Sequence, residues 1–184
     1  MLDGEKDIIK RAIQGEALAF GLLYDHYQPQ IYRFVYLKVS HREEAEDLTH
    51  QVFLNSWKRL GNYRHQGFPF SSWLYRIARN EIIDFYRTRK NRAYIEETAD
   101  TEIGMEPLIN SEIAEILDTT FEVELVKQAI SKLRSTEQDV IIMRFVEDLS
   151  PREVADAIGR TPEAIRLIQH RAIKNLRKIL KNEE

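Results

Sequence analysis

The feature that most constrains this chain of 184 residues is a stretch near its middle that carries only acidic charge. Residues 93–125 contain ten Asp or Glu and no Lys or Arg, and Gly104 and Pro107 interrupt any regular pattern there. Such a segment is typical of a flexible linker and adds little to a hydrophobic core. Because each flank is then short, the sequence predicts two small modules in place of one large domain.

Both flanks of this acidic stretch are cationic. Residues 61–92 hold seven Lys or Arg against two Asp or Glu, and residues 161–184 hold six against three. The formal net charge of −3 conceals this layout. Since clustered cations favour a polyanionic partner, both flanks are candidates for binding nucleic acid. The alternative is that they are ordinary solvated faces beside a disordered linker.

Several classes of protein are disfavoured by composition. The chain has no cysteine, which excludes disulfides, thiolate zinc sites and a cysteine nucleophile. Its five histidines are dispersed, so we expect no metal and no other cofactor. No apolar run approaches the ~20 residues that span a bilayer, and the first residues lack the order of a signal peptide. We therefore expect a cytoplasmic protein without membrane insertion.

Helical periodicity runs through both flanks, whereas alternating strand patterns are rare. The predicted fold is all-α, with a helical domain over 1–92, an acidic flexible linker over 93–119 and a second helical domain over 120–184. Ser71 or Ser72 can cap the helix that carries the central cations. The predicted helices cover about 4–14, 16–38, 42–60, 71–90, 120–134, 137–147, 151–158 and 162–181.

The last two predicted helices are punctuated as a helix-turn-helix. Residues 150–153 read Ser-Pro-Arg-Glu, a capping box with proline at the first helical position. Gly159 can adopt the positive φ that ends this short helix, and Thr161 can cap the next one after about three residues. A short helix, a glycine-containing turn and a second helix are typical of duplex DNA-binding domains.

The final helix sorts its side chains onto two faces at about 100° per residue. One arc is apolar and comprises Ile165, Ile168, Ala172, Ile173, Leu176, Ile179 and Leu180. The opposite arc comprises Arg166, His170, Arg171, Lys174, Arg177, Lys178 and Lys181, with Glu163 and Leu167 among them. Such a helix suits the major groove, because its first residues can reach bases while later cations meet phosphates. Arg166 is suited to guanine and Leu167 to a thymine methyl, whereas Gln169 lies nearer the apolar arc.

The helix predicted over 71–90 combines cations with an aromatic ring. Trp73 lies beside a polar face that carries Arg76, Arg79 and Asn80, and more rings precede it in the loop. Stacking rings beside cations are how single-stranded bases are held, and an unpaired base could be captured there. The alternative for any one ring is simple core packing.

Catalytic signatures are absent from the sequence, and no phosphate-cradling glycine loop or H-E-x-x-H pair occurs. Residues 43–47 contain four acids, which leaves open a nuclease that uses a metal. Consecutive helical residues point in different directions, however, and acids in a first turn also complement the helix dipole. We expect that the protein is not an enzyme.

Four strings in this order resemble sigma factors of the extracytoplasmic-function (ECF) group of the sigma-70 family. They are residues 19–34, residues 44–54 with Glu-Ala-Glu-Asp-Leu-Thr-His-Gln-Val-Phe-Leu, residues 71–80 with Ser-Ser-Trp-Leu-Tyr-Arg-Ile-Ala-Arg-Asn, and residues 147–159. The resemblance covers nearly the whole chain. It implies a protein that binds RNA polymerase core and directs initiation at promoters with −35 and −10 elements. The rival hypothesis is a helix-turn-helix regulator that is not a polymerase subunit.

The resemblance also implies partners and site residues. Asp47, Gln51 and Leu54 would contact the clamp helices of the polymerase core, and the C-terminal domain would contact its flap. An anti-sigma factor is a further possible partner. The residues expected to bind and hold the −10 element are Arg64, Phe68, Phe70, Trp73, Arg76, Arg79, Asn80 and Arg87. The residues expected to read the −35 element are Thr161, Glu163, Arg166, Leu167, His170, Arg171 and Lys174.

Two expectations qualify this assignment. Leu167 and Ile168 stand where many family members carry a small polar and a basic residue, so the −35 contacts cannot be copied directly. The acidic residues 93–125 suit a cationic channel, and we hypothesise that they lie in the RNA path of the polymerase.

Overall fold

A computed structural model of the protein describes residues 2–65, 67–96 and 121–181. These residues are helical without a strand, which confirms the predicted fold class. The helices of the N-terminal module are α1 Glu5–Ile13, α2 Ala17–Val39, α3 Arg42–Arg59 and α4 Phe70–Glu96, with a short 3-10 turn at Leu60–Asn62. Those of the C-terminal module are α5 Phe121–Ser131, α6 Ser135–Ile141, α7 Pro151–Ile158 and α8 Pro162–Lys181.

The N-terminal module packs α2, α3 and α4 around one apolar core, and α1 lies against α2. Phe34 and Tyr75 meet edge to face there with ring centroids 5.4 Å apart. The largest buried side chains of this core are Leu23, Ile31, Phe34, Val52, Leu60, Phe70, Leu74 and Tyr75. This core fixes α4 so that its polar face points away from the core of the N-terminal module.

The start of α4 differs from the prediction. The helix begins at Phe70, so Ser71 and Ser72 lie inside its first turn and do not cap it. The cap comes from α1, because the Phe70 backbone N–H donates to Glu5 Oε1 at 3.3 Å. Glu5 is buried, and a carboxylate at a helix N-terminus satisfies free amides and complements the dipole.

The end of α4 also differs, since the helix continues to Glu96 and past the predicted end at 90. Residues 90–96 contain no glycine or proline that would stop it. The predicted linker over 93–119 therefore begins inside a helix. Its remaining residues lie outside those that the structure describes, as does most of the stretch 93–125 for which we hypothesised a place in the RNA path.

The helix-turn-helix prediction is confirmed. The Ser150 Oγ accepts from the Glu153 backbone N–H at 3.3 Å, and the Glu153 carboxylate accepts from the Ser150 N–H at 2.6 Å. Gly159 ends α7 with φ of +74°, a conformation that costs glycine little. The Thr161 Oγ1 accepts from the Ala164 N–H at 3.2 Å at the start of α8.

The helix predicted over 137–147 is divided in the structure. The α-helical part, α6, ends at Ile141, and a π-helical turn at Ile142–Val146 follows. The wider turn closes with a hydrogen bond from the Glu147 N–H to the Ile142 carbonyl at 3.0 Å. The Arg144 guanidinium donates to the Leu149 carbonyl and fixes the loop that leads into α7.

The two modules pack against each other. The polar face of α4 lies against α7, and α2 lies against α5 and the π-helical turn. The sequence alone did not predict this arrangement.

Candidate nucleic-acid interface

The two faces predicted for the last helix are both present on α8. Ile165 and Ala172 are buried, and Ile168, Ile173, Leu176 and Ile179 pack against the core at intermediate exposure. Every residue predicted to read the −35 element is exposed on the other side: Thr161, Glu163, Arg166, Leu167, His170, Arg171 and Lys174. Leu167 is 69% exposed, which leaves it free to touch an apolar ligand group.

The first turn of α8 is electrostatically organised. A hydrogen bond from the Glu163 backbone amide, followed by one from the Thr161 hydroxyl, lowers the pKa of Glu163. The carboxylate lies 3.6 Å from the Arg166 Nη1. An acceptor and a donor therefore stand side by side, a pairing that suits the edges of cytosine and guanine. Gln169 is half-buried and accepts from the Arg144 Nε at 3.2 Å, in keeping with its predicted place nearer the apolar arc.

Several of the residues predicted to hold the strand lie close together around the start of α4. Trp73 and Phe68 are partly exposed, and Asn80 is exposed. Phe68, Trp73 and Arg76 line one recess with Arg64. Arg64 itself is exposed and donates to the Gly61 and Tyr63 carbonyls at 3.2 and 3.0 Å.

Phe70 does not belong to this exposed group, which corrects the sequence prediction. Its side chain is 1% exposed, and its ring lies 5.3 Å from Tyr63 and 5.7 Å from Tyr27. Its ring also lies 5.2 Å from Trp73, so it supports that residue from inside the core. Phe70 therefore cannot stack on a base in this structure. Two phenylalanines around one proline give no sequence signal for which ring points inward.

Arg87 lies apart from the other predicted residues. It is three helical turns beyond Arg76 on α4 and lines neither recess. Its Nη2 lies 3.1 Å from an Asp84 carboxylate oxygen, and both side chains are exposed.

A cleft of about 840 Å³ separates the polar face of α4 from the turn between α7 and α8. Its walls carry four arginines and one acidic residue. Arg76 and Arg79 come from α4, and Arg152 and Arg160 come from the C-terminal module. Phe68 and Asn80 also line it. The cleft thus combines cations with a ring and an amide, the groups that bind a nucleotide chain.

The two arginines of α4 are already engaged. The Arg76 Nη2 donates to Asp156 Oδ1 at 2.6 Å and to the Asp156 carbonyl at 2.8 Å. The Arg79 Nε donates to Asp139 Oδ2 at 2.8 Å. Both acceptors belong to the C-terminal module, so the face predicted to bind the strand is partly covered by the chain itself.

The residues predicted to contact polymerase are exposed along one side of α3. Asp47 and Gln51 are exposed, and Leu54 is 48% exposed. Sequence reasoning missed other exposed apolar side chains, which are Trp57 on the same helix and Leu18 and Leu22 one turn apart on α2. Leu18 is 80% exposed, the largest value among the exposed apolar side chains of the described residues. We call Leu54 and Trp57, one turn apart on α3, the apolar patch.

A ring contact supports the apolar patch from α2. The rings of Phe20 and Trp57 lie 4.8 Å apart, which joins the start of α2 to the end of α3. An exposed apolar group of this kind marks a protein-binding surface.

The acidic residues 43–47 do not form a common site. Glu44 accepts from Arg89 at 3.1 Å, and Glu46 accepts from Arg42 at 3.0 Å. Among the described residues, no three histidine or acidic side chains converge as metal ligands would. In the same part of the chain, no helix is both long and apolar enough to span a membrane.

Two family matches cover the two modules. Residues 23–92 match Sigma-70 region 2, and residues 129–178 match Sigma-70 region 4. The chain is 30% identical over 182 residues to the ECF RNA polymerase sigma factor SigW of Bacillus subtilis, with 96% of this chain and 97% of that protein covered. The chain belongs to the ECF group of the sigma-70 family. It is also 33% identical over 177 residues to the ECF sigma factor BldN of Streptomyces coelicolor, covering 96% of this chain and 66% of that protein.

Solved sigma factors share the fold of this ECF protein. CnrH, in complex with the cytosolic domain of CnrY, gives a TM-score of 0.74 at 20% identity, with 98% of this chain and 99% of that chain covered. The sigma factor RpoE of Bartonella quintana, in complex with the anti-sigma factor NepR, gives 0.70 at 20% identity, with 90% and 98% covered. From the family matches and these relatives, the protein is a sigma factor that directs promoter-specific transcription initiation by RNA polymerase. The alternative hypothesis, a helix-turn-helix regulator that is not a polymerase subunit, is not favoured.

Proposed function

We propose that this sigma factor divides promoter recognition between two helices, with α8 reading the −35 duplex and the α4 face holding the melted −10 strand. The observation that supports this division is that the two modules carry cationic faces of different chemistry. The face of α8 is aliphatic and cationic, whereas that of α4 adds partly exposed rings. Rings stack on unpaired bases, which a duplex does not offer.

For the −35 element, the first turns of α8 would enter the major groove. Arg166 and Glu163 would contact base edges, and Leu167 would touch a thymine methyl. The later cations Arg171 and Lys174 would meet phosphates and add affinity without sequence information.

For the −10 element, Trp73 and Phe68 would stack on unpaired bases while Arg64, Arg76 and Arg79 meet the backbone. Asn80 would supply an amide for a base edge. Phe70 would support Trp73 from the core and make no contact with DNA. Arg87 lies three helical turns beyond Arg76 along α4, apart from the other predicted residues. Stacking of about 1–3 kcal/mol per base can offset the few kcal/mol that base flipping costs.

For the polymerase, Asp47, Gln51 and Leu54 would contact the clamp helices together with the apolar patch. The C-terminal module would contact the flap, and an anti-sigma factor would compete for one of these surfaces. The protein would perform no chemistry of its own and would act in the cytoplasm with the polymerase.

The test is pull-down on core polymerase combined with transcription in vitro on genomic fragments. Wild-type protein should bind core and produce defined start sites. Asp47→Lys combined with Leu54→Ser should abolish both, because the proposed clamp contact loses its acidic and its apolar group. Ile83→Ser changes an apolar residue of α4 that is 42% exposed and should bind core normally. Start sites from the Asp47 and Leu54 double variant at the wild-type level would contradict the polymerase assignment.

A further inference from the structure

The start of α8 presents a carboxylate and an aliphatic side chain next to each other. Glu163 and Leu167 are four residues apart on the helix, a spacing that puts their Cβ atoms about 5–6 Å apart on one face. A helical side chain also leans toward the N-terminus, so Leu167 extends over the turn that carries Glu163. The two side chains can therefore converge on one small group outside the helix.

The Glu163 carboxylate is held as a hydrogen-bond acceptor. Its own backbone N–H and then the Thr161 hydroxyl donate to it, and these hydrogen bonds lower the pKa of Glu163. The Thr161 Oγ1 is itself fixed, because it accepts from the Ala164 N–H at 3.2 Å. An ionised carboxylate has no proton to donate, so Glu163 can bind only a base that presents a donor.

The neighbours of this pair do not cover it. Ile168 packs against the core, and the Arg144 Nε donates to Gln169. The Glu163 side chain is 73% exposed, and the Arg166 Nη1 lies 3.6 Å away from its carboxylate. An ion pair so exposed is weak, which leaves both partners available to a base pair.

The bases differ in how well their major-groove edges fit a carboxylate beside an aliphatic group. Cytosine presents the N4 amino donor, but it carries only a hydrogen at C5. Thymine presents a methyl at C5, but its O4 is an acceptor and repels a carboxylate. Adenine presents the N6 donor beside the N7 acceptor, which an aliphatic side chain would leave without a partner.

A cytosine methylated at C5 satisfies both side chains at once. It combines the N4 donor of cytosine with the C5 methyl of thymine, and these two groups are attached to adjacent ring atoms. The N4 amino group fits Glu163, and the methyl fits Leu167. The guanine of the same base pair presents O6 and N7 to Arg166, which stands beside Glu163.

We propose that Glu163 and Leu167 form a binding site for 5-methylcytosine in the −35 duplex, with Arg166 on the paired guanine. Methylation of that cytosine then increases the affinity of the sigma factor for its promoter. This inference rests on the proposed −35 role of α8 and deepens it, because a thymine at the same position satisfies Leu167 but not Glu163.

The contacts set the size of the effects. Burying one methyl group against Leu167 lowers the Kd by about fourfold. Thymine in place of 5-methylcytosine loses the donor to Glu163 and opposes two acceptors, which raises the Kd by about tenfold or more. The expected order of affinity is 5-methylcytosine, then cytosine, then thymine.

The test uses holoenzyme that contains the full chain and the −35 duplex of a promoter mapped by transcription in vitro. Synthetic duplexes carry 5-methylcytosine at each cytosine in turn on either strand, or uracil at each thymine in turn. Fluorescence anisotropy measures each Kd. Methylation of one cytosine should lower the Kd by about fourfold, and thymine at that position should raise it.

Matched variants assign the two contacts. Leu167→Ala should remove the gain from methylation and keep the affinity for the unmethylated duplex within about twofold. Glu163→Gln should keep the gain but reduce the penalty for thymine, because an amide can donate as well as accept. Leu18→Ala makes the leucine change at an exposed position of α2 and should alter neither. Circular dichroism should give the wild-type helical signal for each variant.

The outcomes are distinct. Equal Kd values with and without methylation at every cytosine would overturn the site, and so would a gain that persists in Leu167→Ala. A loss from uracil without a gain at any cytosine would also overturn it, and would leave Leu167 as a reader of thymine alone. If Arg166→Ala and every base change leave the Kd at the wild-type value, then α8 does not read the −35 duplex and the proposed function fails as well.

Discussion

The α4 and α8 faces both carry several cations, but they differ in what those cations contact. On α8, His170, Arg171 and Lys174 are exposed, and the exposed Arg166 has its Nη1 3.6 Å from the neighbouring Glu163. On α4, Arg76 and Arg79 are bound by carboxylates from the opposite module. The α8 face is open to a duplex in this conformation, whereas part of the α4 face is covered.

This difference teaches that counting cations along a sequence does not measure a binding surface. Residues 61–92 carry more net positive charge than residues 161–184. Four of their arginines, Arg76, Arg79, Arg87 and Arg89, are nevertheless each paired with a carboxylate. An acidic residue of a distant segment can neutralise a basic face without changing the local pattern.

The largest expected effect separates the two phenylalanines beside α4. Phe70→Ala should lower the free energy of unfolding of the N-terminal module by about 3–5 kcal/mol, because it empties a buried aromatic cluster. Phe68→Ala should cost less than about 1 kcal/mol of stability and instead weaken binding of single-stranded DNA. Urea denaturation and strand titration measure the two effects. If Phe70→Ala gave the wild-type urea denaturation curve, the Phe70 ring would again be a candidate for stacking on a base.

The next effect sharpens the description of α8. Arg166→Ala should cost about 1–3 kcal/mol of binding free energy at particular −35 base pairs. Lys174→Ala should weaken all sequences alike and reduce the salt slope by about one. Fluorescence anisotropy on a panel of single-base duplex variants at several salt concentrations separates the two. Equal losses from Arg166→Ala on every duplex would argue against base readout.

The smallest effect compares how α4 begins with how α7, the first helix of the helix-turn-helix, begins. Ser150→Ala removes the side-chain cap of α7 and should destabilise the C-terminal module by about 1 kcal/mol. Ser72→Ala changes a buried serine whose hydroxyl has no hydrogen-bond partner among the described residues, so it should be close to neutral. Thermal unfolding of both variants provides the measurement. A loss of stability from Ser72→Ala as large as that from Ser150→Ala would mean that the serine caps α4 after all.

Much of the C-terminal module could be predicted from the sequence because its signals are local. The cap at Ser150, the turn at Gly159 and the exposed arc of α8 all depend on residues within one or two helical turns. The π-helical turn at Ile142–Val146 was missed, since its apolar residues also fit an ordinary helix.

The N-terminal site could be predicted only in part because its decisive contacts are long-range. The cap of α4 comes from Glu5, which lies 65 residues earlier, and the pair of Arg33 with Glu147 spans 114 residues. Neither contact leaves a mark on local spacing. Trp73, Arg76 and Asn80 were identified because ring and cations recur on one helical face, whereas the buried ring of Phe70 could not be told from its neighbour.

The Glu5 carboxylate ties the opening residues of the chain to the beginning of α4, the helix that we propose holds the melted strand. A fusion, cleavage site or truncation that disturbs α1 would therefore also disturb the start of α4 and the residues proposed to act in promoter melting. An affinity tag that unwinds α1 would remove the Glu5 cap and destabilise the first turn of α4, which carries Trp73. Tags for biochemical work are therefore better placed at the C-terminus.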